Sequence, residues 1–187
     1  MRVLLLCLAS LCCAALAAET RVVLETNRGA ITLAIDEASA PRTSANFVEY
    51  VKAGHYDGAQ FHRVIAGFMI QGGGFDAEFN RLPTREPIEN EADNGLQNAR
   101  YTVAMARTND PHSATAQFFI NVADNDFLDH TAKTARGWGY AVFGTVVGGS
   151  DVVDAIAGVD TGPAGPFGRD VPRELVIIER AAVVTDQ

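Results

Sequence analysis

The chain has 187 residues, with 15 basic side chains against 23 acidic ones and a formal net charge of −8. That balance argues against nucleic acid or an anionic membrane as a partner, because both are held through clustered cations. The three cysteines, Cys7, Cys12 and Cys13, all fall in the first stretch of the chain.

Met1 to Ala18 carries one early positive charge (Arg2), an apolar run from Val3 to Leu16 and the small-x-small triplet Ala15-Leu16-Ala17. This is the pattern of a secretory signal peptide, residues 1–17, with cleavage expected after Ala17. The run is too short for a comfortable membrane span, so no membrane anchor is expected after cleavage. A lipid-anchor reading is weak: no small residue precedes Cys7 or Cys12, and Cys13 follows another cysteine. Residues 18–187 then form a single domain without cysteine, so without disulfide, thiolate nucleophile or thiolate metal site. Loss of Arg2 leaves 14 basic against 23 acidic side chains, a balance of −9. About 170 residues suffice for one sizeable core and are few for two.

The mature chain reads mostly as strands. Val22 to Thr26 and Ile31 to Asp36, joined by Asn27-Arg28-Gly29, read as a hairpin. Pro41 to Ala53 changes period, with Ala45, Phe47, Val48 and Val51 apolar, Pro at its start and Gly54 after its end. That is an amphipathic helix. Strands resume at Gln60–Ile65, Phe68–Gln71, Tyr101–Met105, Gln117–Val122, Ala141–Val147 and Glu174–Arg180. A short helix is expected at Asp151–Ala157, N-capped by Ser150. The polar stretch between Gly72 and Arg100 reads as surface loop. Eight strands and two helices in one small domain predict a closed eight-stranded antiparallel β-barrel capped by two α-helices, closure also protecting the strand edges.

The segment Phe61-His62-Arg63-Val64-Ile65-Ala66-Gly67-Phe68-Met69-Ile70-Gln71-Gly72-Gly73 places one arginine in an apolar strand pattern, with an amide eight residues later. A guanidinium keeps its charge, so such a position is costly unless the charge is used. An edge-strand Arg with its head in water is the plainer reading of a lone residue. Gln117-Phe118-Phe119-Ile120-Asn121 repeats the pairing of amide and aromatic. By alternation Gln117 and Phe119 share a face, as do Met69 and Gln71, with Arg63 on a neighbouring strand. Phe68 breaks this parity and needs a bulge or a loop position to join them.

These segments, with Val142-Phe143-Gly144-Thr145-Val146, resemble the cyclophilin family of peptidyl-prolyl isomerases from Thr20 to Val183, the bacterial exported members most of all. The resemblance implies a barrel with its substrate groove on the outer wall. It places the catalytic arginine at Arg63, the proline pocket at Phe68, Met69, Phe119 and Leu128, the amide positions at Gln71 and Gln117, and the loop that binds substrate backbone at Ala106-Arg107. Three positions depart from the common eukaryotic pattern: Phe127 replaces Trp, Tyr140 replaces His, and Arg107 replaces Asn. Phe127 lacks the indole donor, so weak cyclosporin binding is expected. Backbone groups are expected to bind at Arg107, so its side chain need not matter. The one tryptophan, Trp138, lies in a Gly-Trp-Gly segment and is not the family's tryptophan.

The implied partners are proline-containing segments of unfolded or partly folded exported proteins, met by a monomer in the periplasm, with full secretion left open. No cofactor or metal is expected, since rotation about a peptide bond needs neither. Other sites read weakly. Gly72-Gly73-Gly74 lacks the Lys-Ser/Thr of a phosphate loop. His55, His62, His112 and His130 lack metal-ligand spacing, and His62 is expected to be a hydrogen-bonded structural residue. Ser44, Ser113 and Ser150 lack a nucleophile elbow. Asp124, Asp126 and Asp129 read as a surface turn rather than a calcium loop. A non-catalytic peptide-binding module using the same groove is the alternative function.

Overall fold

The computed structural model describes residues 19–185, so the expected signal segment and its cleavage point lie outside them. The elements run β1 (Thr20–Thr26), β2 (Gly29–Ile35), α1 (Pro41–Lys52), β3 (Arg63–Ile65), β4 (Met69–Gly72), β5 (Thr102–Met105), β6 (Phe118–Asn121), β7 (Val142–Gly148), α2 (Ser150–Ala157), β8 (Thr161–Ala164), β9 (Phe167–Pro172) and β10 (Ile178–Thr185). β1 and β2 form the expected hairpin, with Leu24 opposite Ile31. Both side chains are fully buried.

In α1 the buried face is Ser44, Phe47, Val48 and Val51, while Ala45 turns outward. Residues at spacings of three and four share a helix face, and Ala45 is off that stripe. Pro41 sits in the first turn, where a missing N–H costs nothing. The start of α2 differs from expectation. Ser150 is its first residue and makes no capping bond; Gly149 precedes it with φ of +74°. A Cβ at Gly149 would stand 2.1 Å from the Ala30 carbonyl oxygen, so glycine is required there.

Eight antiparallel strands form one sheet in the order β10-β1-β2-β7-β5-β6-β4-β3. It curls into a half-barrel around Phe47, Phe61, Phe118, Phe143 and the aliphatic residues of β1 and β2. The sheet is open, which corrects the expected closed barrel. The apolar run Gln60–Ile65 is not one strand: only its second half, as β3, pairs with β4. Its first half turns to the chain before β10 instead, with Phe61 N–H donating to the Val176 carbonyl (2.8 Å) and Ile178 N–H to the Ala59 carbonyl (2.8 Å). These bonds cover the gap without a ladder between β3 and β10. The last strand accordingly lies at Ile178–Thr185 rather than Glu174–Arg180. The hairpin of β8 and β9, unforeseen from the sequence, forms a separate two-stranded sheet that packs beside β3.

Candidate active site

Strand register assembles a row of side chains on the outer face of the half-barrel. Arg63 pairs with Gln71, Gln71 with Phe119, Phe119 with Ala104, and Ala104 with Val142, across five strands. The alternate residues Val64, Ile70, Ile120 and Val103 point into the core. The outer row joins Met69, Leu128 and the half-buried Phe68, Ala106 and Tyr140 in a second apolar cluster, apart from the core.

A cavity of about 80 Å³ opens in this cluster, lined by Arg63, Phe68, Met69, Gln71, Ala106, Arg107, Phe119, Leu128 and Tyr140. A water occupies about 30 Å³ of liquid, so the cavity accepts a few heavy atoms, such as one small ring. Phe68 reaches it because β4 begins only at Met69. Phe68 lies in the preceding turn, its N–H bonded to the Ile65 carbonyl at 3.1 Å, and alternation does not apply to it. Phe127 does not line the cavity. It stacks on Phe68 at 5.6 Å and is 74% exposed, so it forms an outer shelf.

The polar edge of the cavity has a fixed direction. Arg63 Nη1 donates to Gln71 Oε1 (3.3 Å), and Gln71 Nε2 donates to Gln117 Oε1 (2.9 Å). A guanidinium only donates, so it fixes the oxygen of Gln71 toward itself and the amide nitrogen toward Gln117. Gln117 lies outside the cavity, one step along the groove, and supports Gln71. Gly74 makes room for it: a Cβ there would come within 2.5 Å of the Gln117 side chain. Gly72 and Gly73 instead make room for the Phe61 and Tyr56 rings, so the glycine run serves close packing.

Arg107 does more than its backbone was expected to do. Its Nε donates to the Gly139 carbonyl (2.9 Å) and its Nη1 to the Thr108 carbonyl (2.9 Å), with the guanidinium 4.6 Å from the Tyr140 ring centroid. Tyr140 meets Phe119 edge-on at 5.6 Å. The side chain therefore straps the loop after β5 to the segment carrying Tyr140.

Sequence reasoning missed a set of buried asparagines that holds the cavity walls. Asn125 Nδ2 donates to the Phe68 carbonyl (2.9 Å) and to Asn121 Oδ1 (2.7 Å). Asn121 Nδ2 donates to Asn98 Oδ1 (3.3 Å), and Asn98 Nδ2 reaches Asp129 Oδ1 (2.9 Å) and the Tyr140 carbonyl (3.3 Å). The one available signal was Asn121 ending an apolar strand, where asparagine is disfavoured without a partner. Asp124 and Asp129 accept from Arg100 and Asn98, each holding a loop.

His62 faces away from the cavity. It is buried between Phe167, stacked at 5.4 Å, and Phe75, edge-on at 4.8 Å. Its Nδ1 has no hydrogen-bond partner among the described residues, and the β8–β9 hairpin provides the ring that covers it. Burial lowers its pKa from 6.5 to about 4; a hydrogen bond with the Gln60 backbone opposes the shift, and the neighbouring Arg63 and Arg81 charges add to it.

The family model for "Cyclophilin type peptidyl-prolyl cis-trans isomerase/CLD" matches residues 21–183. The chain belongs to that family. It is 61% identical over 163 residues to the peptidyl-prolyl cis-trans isomerase cyp18 of Streptomyces antibioticus, covering 87% of this chain and 98% of that one. It is 56% identical over 162 residues to peptidyl-prolyl cis-trans isomerase B of Escherichia coli, covering 87% and 98%. Among solved structures, a cyclophilin type peptidyl-prolyl cis-trans isomerase of Cryptosporidium parvum, determined in the presence of the dipeptide Ala-Pro, superposes with a TM-score of 0.70. The identity is 22%, with 89% of this chain and 99% of that one covered, a likeness of fold.

Proposed function

We propose that this cyclophilin accelerates rotation about Xaa–Pro bonds in exported, partly folded proteins, with the proline ring in the outer cavity and Arg63 acting on the twisted amide. Peptidyl-prolyl isomerisation itself follows from family membership and from relatives of that name at 61% and 56% identity. The observation that carries the mechanism is Arg63: half-buried beside an apolar cavity, without an ion-pair partner among the described residues, and oriented by Gln71.

An Xaa–Pro bond is nearly balanced between cis and trans, but amide resonance sets a barrier of about 18–20 kcal/mol and exchange takes tens of seconds. Rotation breaks no bond to carbon, so no nucleophile is needed. A catalyst must bind the twisted amide better than the planar one. At the twist the prolyl nitrogen regains its lone pair and accepts a hydrogen bond; Arg63, with one donor held by Gln71 and others free, supplies it. Phe68, Met69, Phe119 and Leu128 grip the ring. The backbone at Ala106 and Arg107 holds the flanking chain, so one side of the bond turns against the other.

Magnitudes limit what Arg63 does. An acceleration of about 10⁵ needs about 7 kcal/mol, whereas a hydrogen bond to a charged group contributes about 1.5–3 kcal/mol. The remainder comes from moving the planar amide dipole out of water and from anchoring both ends of the segment. The periplasmic setting rests on the signal-like sequence of residues 1–17 and stands as part of the proposal.

Exchange spectroscopy on an Ala-Ala-Pro-Phe peptide tests the reading. Saturable acceleration of cis–trans exchange supports it. Binding of the peptide with exchange left at the uncatalysed rate would sink it and leave a non-catalytic peptide-binding module.

A further inference from the structure

A second depression of about 300 Å³ adjoins the proline cavity and shares Gln71, Ala106 and Arg107 with it. Arg81 also lines it. Neither depression is lined by an aspartate or glutamate, although acidic residues outnumber basic ones 23 to 15 in the chain. The groove is cationic on an acidic protein.

The three guanidiniums of this groove hold no carboxylate, a state shared among the described residues with Arg136, Arg173 and Arg180 but not with the arginines that form ion pairs. Arg28, Arg42, Arg85 and Arg100 each hold a carboxylate: Glu174, Glu89, Glu49 and Asp154. Arg63, Arg81 and Arg107 hold none among the described residues. Arg63 is engaged by Gln71, and Arg107 by two carbonyls and the Tyr140 ring. Arg81 only lies over the Phe75 ring at 5.6 Å, and its head is exposed. The nearby Asp76 forms no ion pair with it; its two oxygens accept from the Glu78 and Asn80 N–H groups and the Asn80 amide. An exposed guanidinium that lines a groove, with no hydrogen bond or ion pair to its head among the described residues, is a site for an anionic side chain.

We infer that this groove selects Xaa–Pro segments carrying a carboxylate within two residues of the proline, with Arg81 as the residue that reads it. The inference rests on the proline occupying the outer cavity. Two extended residues span about 7 Å, enough to carry a side chain from the proline cavity into its neighbour. The pair is solvent-exposed, and exposed pairs contribute up to about 1 kcal/mol, which is about a fivefold preference. The preference is also screened by salt.

The test compares Glu, Gln and Lys peptides of one length, with the variable residue two positions before the proline in one set and two after it in another. For each peptide, both binding by NMR titration and cis–trans exchange are read at low and at high salt. In one set the wild-type protein should favour Glu over Gln by about three- to fivefold, with the preference fading at high salt. Arg81→Glu should invert the order in favour of Lys. The ratio is internal to each protein sample, so partial misfolding of the variant cancels. Glu and Gln peptides that behave alike in both sets, or a Glu preference that survives Arg81→Glu, would overturn the inference. Binding reads the preference even without accelerated exchange, so failure of the isomerase reading and failure of this one are told apart.

Discussion

The two faces of β6 show how one strand serves two purposes. Phe118 and Ile120 face inward, and Phe118 lies against Phe47, Tyr56 and Phe61 at centroid distances of 5.3, 5.4 and 5.9 Å. Phe119 faces outward and meets one ring, Tyr140, at 5.6 Å. Both rings are buried, at 0% and 4% exposure. The difference lies in what covers them. The inner face is closed by α1 and the curl of the sheet, with Phe47 of α1 packed edge-on against Phe118. The outer face is covered by loops tied down through Asn98, Asn121, Asn125 and Arg107, and retains a cavity of about 80 Å³. Apolar residues held apart by a polar scaffold make a binding site, whereas apolar residues free to collapse together make a core.

The comparison breaks most visibly at the two phenylalanines. Phe118→Ala should cost about 3–5 kcal/mol of stability, as for a filled aromatic core position. Phe119→Ala opens a space already continuous with solvent, so it should cost less stability and appear as a raised KM. Denaturant unfolding and peptide kinetics on both variants check this; equal stability losses would contradict the division between the faces.

A comparable effect belongs to His62, on the core side of Arg63. Its folded pKa of about 4 lies below the unfolded value of 6.5. The unfolded chain therefore takes up a proton first as pH falls, and stability is lost between about pH 6.5 and 4. The full linkage is of the order of 3 kcal/mol. Denaturation midpoints across that window should slope steeply in the wild type and less in His62→Asn. A parallel slope in the variant would remove His62 from the account.

The smallest effect is expected at Gln71. Gln71→Ala frees Arg63 without removing it, so kcat/KM should fall by about fivefold, the weight of one hydrogen bond of about 1 kcal/mol. Gln71→Glu would pair with Arg63 and should be slower than Gln71→Ala.

The outer face was legible in the sequence because alternation is local. Arg63, Gln71 and Phe119 sit at register positions that a period of two exposes. Ala106, Arg107, Leu128 and Tyr140 came from family resemblance, since they lie on loops or, for Leu128, in a single 3-10 turn, which no periodicity marks. The asparagine scaffold was not readable because Asn98 and Asn125 lie outside strands and meet only through the fold. The error over barrel closure has a similar origin: Gln60–Ile65 is one apolar run that divides its hydrogen bonds between two neighbours. The β8–β9 hairpin was hidden by its composition, with Gly162, Pro163, Gly165 and Gly168 masking short strands.

The central claim is that Arg63 serves the reaction rather than the fold, and kcat/KM measured beside thermal unfolding for Arg63→Ala tests it most directly. The account predicts a fall of about ten- to 150-fold, the equivalent of about 1.5–3 kcal/mol, with the unfolding midpoint within a few degrees of wild type. Catalysis preserved in a folded variant, or lost only in proportion to unfolding, would contradict it.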